Sequence, residues 1–492
     1  MIPKSITNPS APALAQPNHV RTVKLTAGSG FLGLIFLTAL AAVLRTLYLA
    51  SKCLSLDEGF SAFLARTSFD EFTNRLWTGE LNMALYYGLL RIWMHLGTSE
   101  FTMRMLSVAF GVATVPVIYF LGLRLFNRRT AIVASLLMTL HPAHVALSQD
   151  ARSYSLAVLL ISLSSLLFLR TLQNPSLLNW SGYAIVTAVA VYAHFFAALV
   201  ILAQASFFLV IAKPDRSTWK AFLKAAFLLA ALLVPIAVFL LHLPRLEQLG
   251  WVPVLHLQQV VGVLYFLTLS KIRCLTYVLF WTVAIAGVLT QPGTRASRWP
   301  YWFVLSWLIV PVAVTVSMSV ARPLLIDRFL AVCIPASVLL AAAGFEFLLA
   351  RFRILAAVAM LLLVFYSARS LHFLYVRQQI KEDWRGATAY VLAQSRHGDE
   401  VIVLPEYARF TFDYYRETRG PAAPGLLVAS LTTLDLGSGS PQAVWFIGSD
   451  FPRQGASQAE VDSSLAAHTQ YCEMSVSHFT GVRVWQTQRC VR

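Results

Sequence analysis

Residues 29–60 read SGFLGLIFLTALAAVLRTLYLASKCLSLDEGF. The run 29–50 is apolar apart from Arg45 and is long enough to cross a bilayer core, which takes about 20 residues. It leads straight into Ser55-Leu56-Asp57-Glu58-Gly59-Phe60, where two adjacent carboxylates stand at the edge of the apolar segment. Similar runs lie near 103–125, 130–147, 155–172, 180–196, 197–212, 221–241, 275–290, 300–319, 329–349 and 353–371. Together they make about eleven membrane-spanning helices by the length rule. Composition agrees: 57% of the 492 residues are hydrophobic and only 13% are charged. A soluble domain carries about 25% charged residues, so a disordered chain is excluded and a single soluble globule is disfavoured.

The net charge of +16 would point to nucleic acid in a soluble protein. Here the basic residues sit between apolar runs, so no nucleic-acid partner is expected and the charge reads as membrane topology instead. With Lys4, Arg21 and Lys24 placed in the cytoplasm, alternation puts the basic loops Arg124–Arg129, Arg170–Asn174, Lys213–Lys224, Arg295–Arg298 and Arg351–Arg353 on the same side. Asp57, Glu58, Asp70, Glu71, Glu80, Asp150, Glu247 and Asp327 then face outward. The first apolar run is too long for a cleaved signal peptide and reads as an uncleaved helix after a disordered, proline-bearing tail, 1–28. The membrane domain is expected to span 29–375 with a first outer loop at 51–102. Within that loop Leu81–Gly97 is apolar but carries Arg91 and His95, and reads as an amphipathic helix in the interface.

Beyond residue 376 the runs shorten and polarity rises. Glu382–Gln394 reads as a helix, and Glu400–Leu404, Ala443–Ile447 and Val482–Gln486 as buried strands, with a loop at Gly437–Pro441. The segment 376–492 is therefore expected to be a small extracytoplasmic α/β domain. Cys472 and Cys490 both lie in it, and the sequence leaves open whether they pair as a disulfide or stay as thiols. None of the five cysteines forms a CxxC, so zinc and haem have no signal.

Gly28-Ser29-Gly30-Phe31-Leu32-Gly33 matches GxGxxG by letter only, because a Pro-rich tail precedes it and a membrane span follows where a strand and a crossover helix are required. Asp57-Glu58 is the most informative pair. As loop acids the two would merely be solvated, but beside apolar residues at a membrane surface they would be partly desolvated, which makes a carboxylate a stronger base. In Gln149-Asp150-Ala151-Arg152-Ser153-Tyr154 the acid and the arginine either pair with each other or serve as a second acid and a phosphate ligand. His194, in Tyr192-Ala193-His194-Phe195, is either a satisfied structural histidine or a ligand. Arg322 and Arg328 flank an outer loop and either snorkel to headgroups or bind a lipid phosphate.

With these residues the chain resembles the membrane glycosyltransferases of the C-type fold. The most similar group is the family 39-like set, with the protein O-mannosyltransferases, the lipid A aminoarabinose transferase and the bacterial mannosyltransferases. The resemblance rests on Asp57-Glu58, on Ser148–Tyr154, on Tyr192-Ala193-His194, on Arg328-Phe329 ahead of Pro335 and on Lys381-Glu382-Asp383-Trp384-Arg385. It covers roughly 50–395. One departure is clear: the family's His-Pro-Pro is Asn82-Met83-Ala84 here, ahead of Leu85-Tyr86-Tyr87.

The resemblance implies a polyprenyl-phosphate-linked sugar as donor and inverting transfer of a hexose or pentose on the extracytoplasmic face. The acceptor is left undetermined among protein, lipid and polysaccharide. It implies a catalytic set of Asp57 as general base, Glu58 holding the loop or tuning Asp57, and Asp150 orienting the acceptor or sharing a metal. Arg152, Arg322 and Arg328 would bind the donor phosphate, and Tyr86, Tyr154 and His194 the substrate. A divalent metal ion as cofactor is left open, since the missing histidine removes one family ligand. Membrane lipid is the expected surrounding, in a bacterial inner membrane. A multi-span transporter or flippase of a lipid-linked or anionic substrate is the alternative reading, although no internal repeat supports it. A non-catalytic membrane subunit is the third.

Overall fold

A computed structural model of the chain describes residues 29–212, 215–242, 252, 254–268, 270–290, 295–376, 382–419, 426–429, 443–449, 456–467 and 471–489. The expected tail 1–28, with Lys4, Arg21 and Lys24, lies outside these residues, as do Lys213, Glu247, Lys381, Gly437–Pro441 and Cys490. Every apolar run read from the sequence is helical. The helices run α1 (Ser29–Thr46), α2 (Leu56–Arg66), α3 (Phe69–Arg75), α4 (Ala84–Trp93), α5 (Glu100–Leu125), α6 (Arg128–Thr139), α7 (Pro142–Ser148), α8 (Tyr154–Gln173), α9 (Leu177–Ala193), α10 (Ala197–Phe207) and α11 (Arg216–His242). They continue with α12 (Leu257–Thr268), α13 (Lys271–Thr290), α14 (Arg295–Ala321), α15 (Ile334–Arg351) and α16 (Arg353–Val376).

Among the described residues seven helical segments are long and apolar enough to cross a membrane: 100–125, 154–173, 216–242, 271–290, 298–321, 327–351 and 353–376. The pair α6 and α7 adds an eighth if counted as one broken span, bent by 57°. The bend has a local cause: Pro142 lacks the N–H that would continue α6, and His141 caps the new helix by accepting the His144 N–H. The expected spans near 29–50, 180–196 and 197–212 are helical but shorter, so eleven full crossings are not established. Residues 47–50 leave the first helix in a turn with Tyr48 at φ 56°. The stretch 81–97 folds as α4 flanked by short 3-10 turns, too short to span.

The C-terminal domain holds α17 (Trp384–Gln394), β1 (Glu400–Leu404), α18 (Arg409–Arg419), β2 (Leu427–Ala429), β3 (Ala443–Ser449), α19 (Ala456–Ala467), β4 (Tyr471–Phe479) and β5 (Val482–Arg489). The sheet order is β2-β1-β3-β5-β4. β1 pairs in parallel with β2 and with the central β3, while β3, β5 and β4 run antiparallel. Strand alternation sorts the core: Ile402 and Leu404 face one side with Phe446 and Val461, and Val401 and Val403 face the other with Trp384 and the main core. The expected helix and three strands are present. The short β2 and the edge strand β4, whose YCEMSVSHF is mostly exposed, escaped the pattern reading because neither shows a buried apolar alternation. Cys472 is disulfide-bonded.

The domain is fastened to α2 and α5. Tyr415 donates its hydroxyl hydrogen to Glu100 Oε1 at 2.6 Å and accepts the Leu54 N–H at 2.7 Å. Arg385 reaches the same Glu100 oxygen at 2.8 Å. Phe410 packs on Phe60 and Phe63, with ring centroids 5.2 and 4.4 Å away. Gly59 is the closest approach: a Cβ there would stand 2.1 Å from Thr411 Oγ1 and 2.8 Å from Thr411 Cα. Gly59→Val is therefore expected to lower the thermal midpoint, by about 1–3 kcal/mol of overpacking, and to expose the C-terminal domain to limited proteolysis. Gly88→Ala on α4, where nothing lies within 4 Å, is the control that leaves both unchanged.

Candidate active site

The site is built on the first turn of α2. Ser55 caps the helix in a reciprocal box with Glu58: its side chain takes the Glu58 N–H, and Glu58 takes the Ser55 N–H at 2.9 Å. Glu58 is fully buried and meets Arg104 of α5 through two contacts, Nε–Oε1 at 2.7 Å and Nη2–Oε2 at 2.9 Å. Arg104 also donates to the carbonyls of Leu49, Lys52 and Cys53 at 2.8–2.9 Å. The Glu58 Oε1 takes the Ala151 N–H at 2.9 Å, which draws the 149–153 loop against α2.

Asp57 points the other way. Its Oδ2 lies 3.0 Å from Arg328 Nη1, with the two side chains 39% and 36% exposed. Arg328 rides on the 3-10 turn Asp327–Cys333 ahead of α15 and stands 5.8 Å from the Tyr154 ring centroid. Arg152 approaches from the loop before α8. Its Nη1 donates to the Asp57 carbonyl at 3.3 Å, Ser61 Oγ at 3.4 Å and Tyr87 Oη at 3.1 Å. Tyr87 in turn donates to Glu80 Oε2 at 3.3 Å. Burial raises the Glu80 carboxyl above its ordinary value, against the Arg152 guanidinium and the Tyr87 hydrogen bond, which lower it.

His194, where α9 ends, is 1% exposed and packs against Tyr154 and Phe329, with centroids 5.6 and 5.1 Å away. Its Nδ1 lies 3.2 Å from the Phe196 amide. An Nδ1 that accepts this N–H leaves the proton of the neutral ring on Nε2, a tautomer assigned from that bond. Nε2 is buried with no hydrogen-bond partner among the described residues. Asn82, where the family carries histidine, takes the Phe195 N–H at 2.8 Å and so tethers this segment.

The structure thus brings together Asp57, Arg152, Arg328, Tyr154 and His194. Four other expected site residues are placed differently. Glu58 faces away from the cluster and holds the loop. Tyr86 is fully buried and its hydroxyl pairs with Ser107 at 2.8 Å, so Tyr87 is the tyrosine at the cluster. Asp150 lies within electrostatic reach of Tyr86 and Arg104, on the Glu58 side. Arg322 is exposed just past α14, and no contact among the described residues brings it to Asp57. Sequence reading missed Tyr87, Glu80 and Arg104. An arginine near the start of the apolar run 103–125, far from the basic end at Arg124, was a usable signal for the last.

Among the described residues no three His, Cys, Asp or Glu side chains converge as a metal site. Two guanidiniums, an aromatic wall and a buried imidazole N–H form a donor set suited to an anion.

The fold is that of the C-type membrane glycosyltransferases. ArnT from Cupriavidus metallidurans bound to undecaprenyl phosphate superposes with a TM-score of 0.60 at 14% identity, over 94% of this chain and 98% of that one. Its apo state gives 0.60 at 15%, with the same coverage. The archaeal oligosaccharyltransferase AglB from Archaeoglobus fulgidus, in complex with an inhibitory peptide and a dolichol-phosphate, gives 0.56 at 10%, over 93% and 74%. Within this fold, residues 84–242 match the family described as dolichyl-phosphate-mannose-protein mannosyltransferase. No curated protein matches the chain by sequence. The chain is thus a multi-pass membrane protein of the C-type glycosyltransferase fold, similar in sequence to the protein mannosyltransferases.

Glu58→Ala leaves the Arg104 charge buried and unpaired, and is expected to cost about 3–5 kcal/mol in thermal or denaturant unfolding. Glu80 gives a pH signature. Its folded-state value lies above the unfolded one, so its contribution to stability is complete below the unfolded value and is lost as pH rises through the folded one. Wild-type midpoints should therefore fall relative to Glu80→Gln across that window; parallel profiles would remove Glu80 from the titration.

Proposed function

We propose that the protein transfers a hexose or pentose from a polyprenyl-phosphate donor to a nucleophilic acceptor on the extracytoplasmic face, with inversion. The observation that carries this reading is the carboxylate of Asp57 set 3.0 Å from the Arg328 guanidinium, with Arg152 alongside. An inverting transfer needs a base for the acceptor and a group that stabilises the departing phosphate, and Asp57 and the two arginines supply one of each. The acceptor O–H attacks that carbon while Asp57 takes its proton. The carbon–oxygen bond to the phosphate breaks, its electron pair stays on the phosphate, and Arg328 and Arg152 neutralise the growing charge. The Tyr154 and Phe329 rings wall one side of the site.

The lipids held by two fold relatives, undecaprenyl phosphate in ArnT and dolichol-phosphate in AglB, support a polyprenyl-phosphate donor. The family match over 84–242 supports sugar transfer. His194 Nε2–H is available to a donor oxygen. Asp150, on the Arg104 side, acts through the loop that carries Arg152. In this reading the N-terminus is cytoplasmic, the C-terminal domain is extracytoplasmic and the membrane is a bacterial inner membrane. No step is routed through a metal ion.

The test is transfer from a panel of radiolabelled polyprenyl-phosphate sugars by the protein in nanodiscs. Asp57→Asn should lower turnover about 10²–10⁴-fold, the usual worth of a general base, while the protein still inserts and folds. Wild-type turnover by this variant would remove Asp57 from the base role. Arg328→Ala should weaken donor use much more than acceptor use, and an equal loss would mark Arg328 as structural.

A further inference from the structure

The two arginines at Asp57 are held in different ways. Arg152 is fixed: a single nitrogen serves the Asp57 carbonyl, Ser61 and Tyr87, all parts of the scaffold. Arg328 pairs through Nη1 with the Asp57 carboxylate itself and otherwise lies near the Tyr154 ring, with 36% of its side chain open to solvent. Among the described residues the Nε of each arginine is without a hydrogen-bond partner, so the difference lies in the terminal nitrogens. The group that would bind the leaving phosphate is thus paired with the group that would act as base.

We infer that Arg328 is handed from Asp57 to the donor phosphate, so that donor binding unmasks the base and must precede activation of the acceptor. This rests on the proposed donor class and adds an order of events to it. The charges favour the exchange. A donor phosphodiester brings one negative charge, equal to that of Asp57, to a site with two guanidiniums. As the sugar leaves, the phosphate gains a second negative charge while Asp57 loses its own by taking the acceptor proton. The total negative charge stays constant and moves from carboxylate to phosphate, and Arg328 follows it. While Arg328 Nη1 is held at Asp57 Oδ2, that oxygen is engaged and does not take the acceptor proton.

A double-mutant cycle on lipid affinity tests the exchange without an identified acceptor. Undecaprenyl phosphate is titrated into nanodiscs holding wild type, Asp57→Asn, Arg328→Gln and the double variant, with undecaprenol as the uncharged control. Asp57→Asn should tighten binding roughly three-fold, as expected for release of a half-exposed ion pair. In the Arg328→Gln background the same change should leave affinity unaltered. Equal tightening in both backgrounds would mean plain repulsion between carboxylate and phosphate, and would overturn the handover. No tightening in either would mean that Arg328 bridges both anions at once, which also overturns it. A wild type that binds undecaprenyl phosphate no better than undecaprenol would instead defeat the proposed donor. Both side chains are over a third exposed, so the variants should fold. Asp57→Ser and Arg328→Met repeat the cycle with different side chains.

Discussion

The buried ion pair between Glu58 and Arg104 is the constraint on which the site depends. Both side chains are withdrawn from water, with exposures of 0% and 1%. A buried pair persists only when its geometry is good and its remaining donors and acceptors are met. Here they are met by the Ser55 and Ala151 amides and by the carbonyls of Leu49, Lys52 and Cys53. The pair therefore ties four pieces of chain together: the turn after α1, the start of α2, the N-terminal part of α5 and the 149–153 loop. Successive helical residues point about 100° apart, from 3.6 residues per turn. Burying Glu58 thus turns its neighbour Asp57 outward, and anchoring Ala151 sets Arg152 beside it.

The same end of α5 also holds the C-terminal domain. Glu100 sits one turn before Arg104 and takes hydrogen bonds from Tyr415 and Arg385. Residues at i and i+4 share a helix face, so α5 uses one face to join the domain and the Asp57 loop. That explains why a small α/β domain far along the chain packs directly against α2, with Gly59 too close to Thr411 to carry a side chain.

Much of this was legible from sequence because span length and charge placement are one-dimensional signals. The helices and the α/β tail follow from order along the chain, whereas the set that includes Asp57, Arg152, Arg328, Tyr154 and His194 is what the resemblance implies, and it holds four further residues that pack elsewhere. Helix phase is different. Glu58 against Asp57, and Tyr86 against Tyr87, are adjacent residues of similar chemistry, and which of each pair faces the cluster depends on packing against α5. Arg322 and Arg328 look alike in sequence, yet only Arg328 lies on the turn that brings it toward Tyr154. Glu80 enters through its hydrogen bond to Tyr87 and its closeness to Arg152, contacts that exist once the π-helical turn Leu76–Glu80 and α4 are in place.

Placing Asp57 at a half-open rim while Glu58 is sealed has a chemical consequence. A fully buried carboxylate bound bidentately to arginine is locked in its charged form and cannot exchange partners without a cost of several kcal/mol. A half-exposed pair such as Asp57–Arg328 is worth about 1 kcal/mol or less, little enough for an incoming anion to replace one partner. Two neighbouring acids thus divide the work by depth alone. The buried one spends its charge on holding loops in place. The shallow one keeps a charge that can be shared, lost to a proton and regained, which is what a base beside an anion site requires.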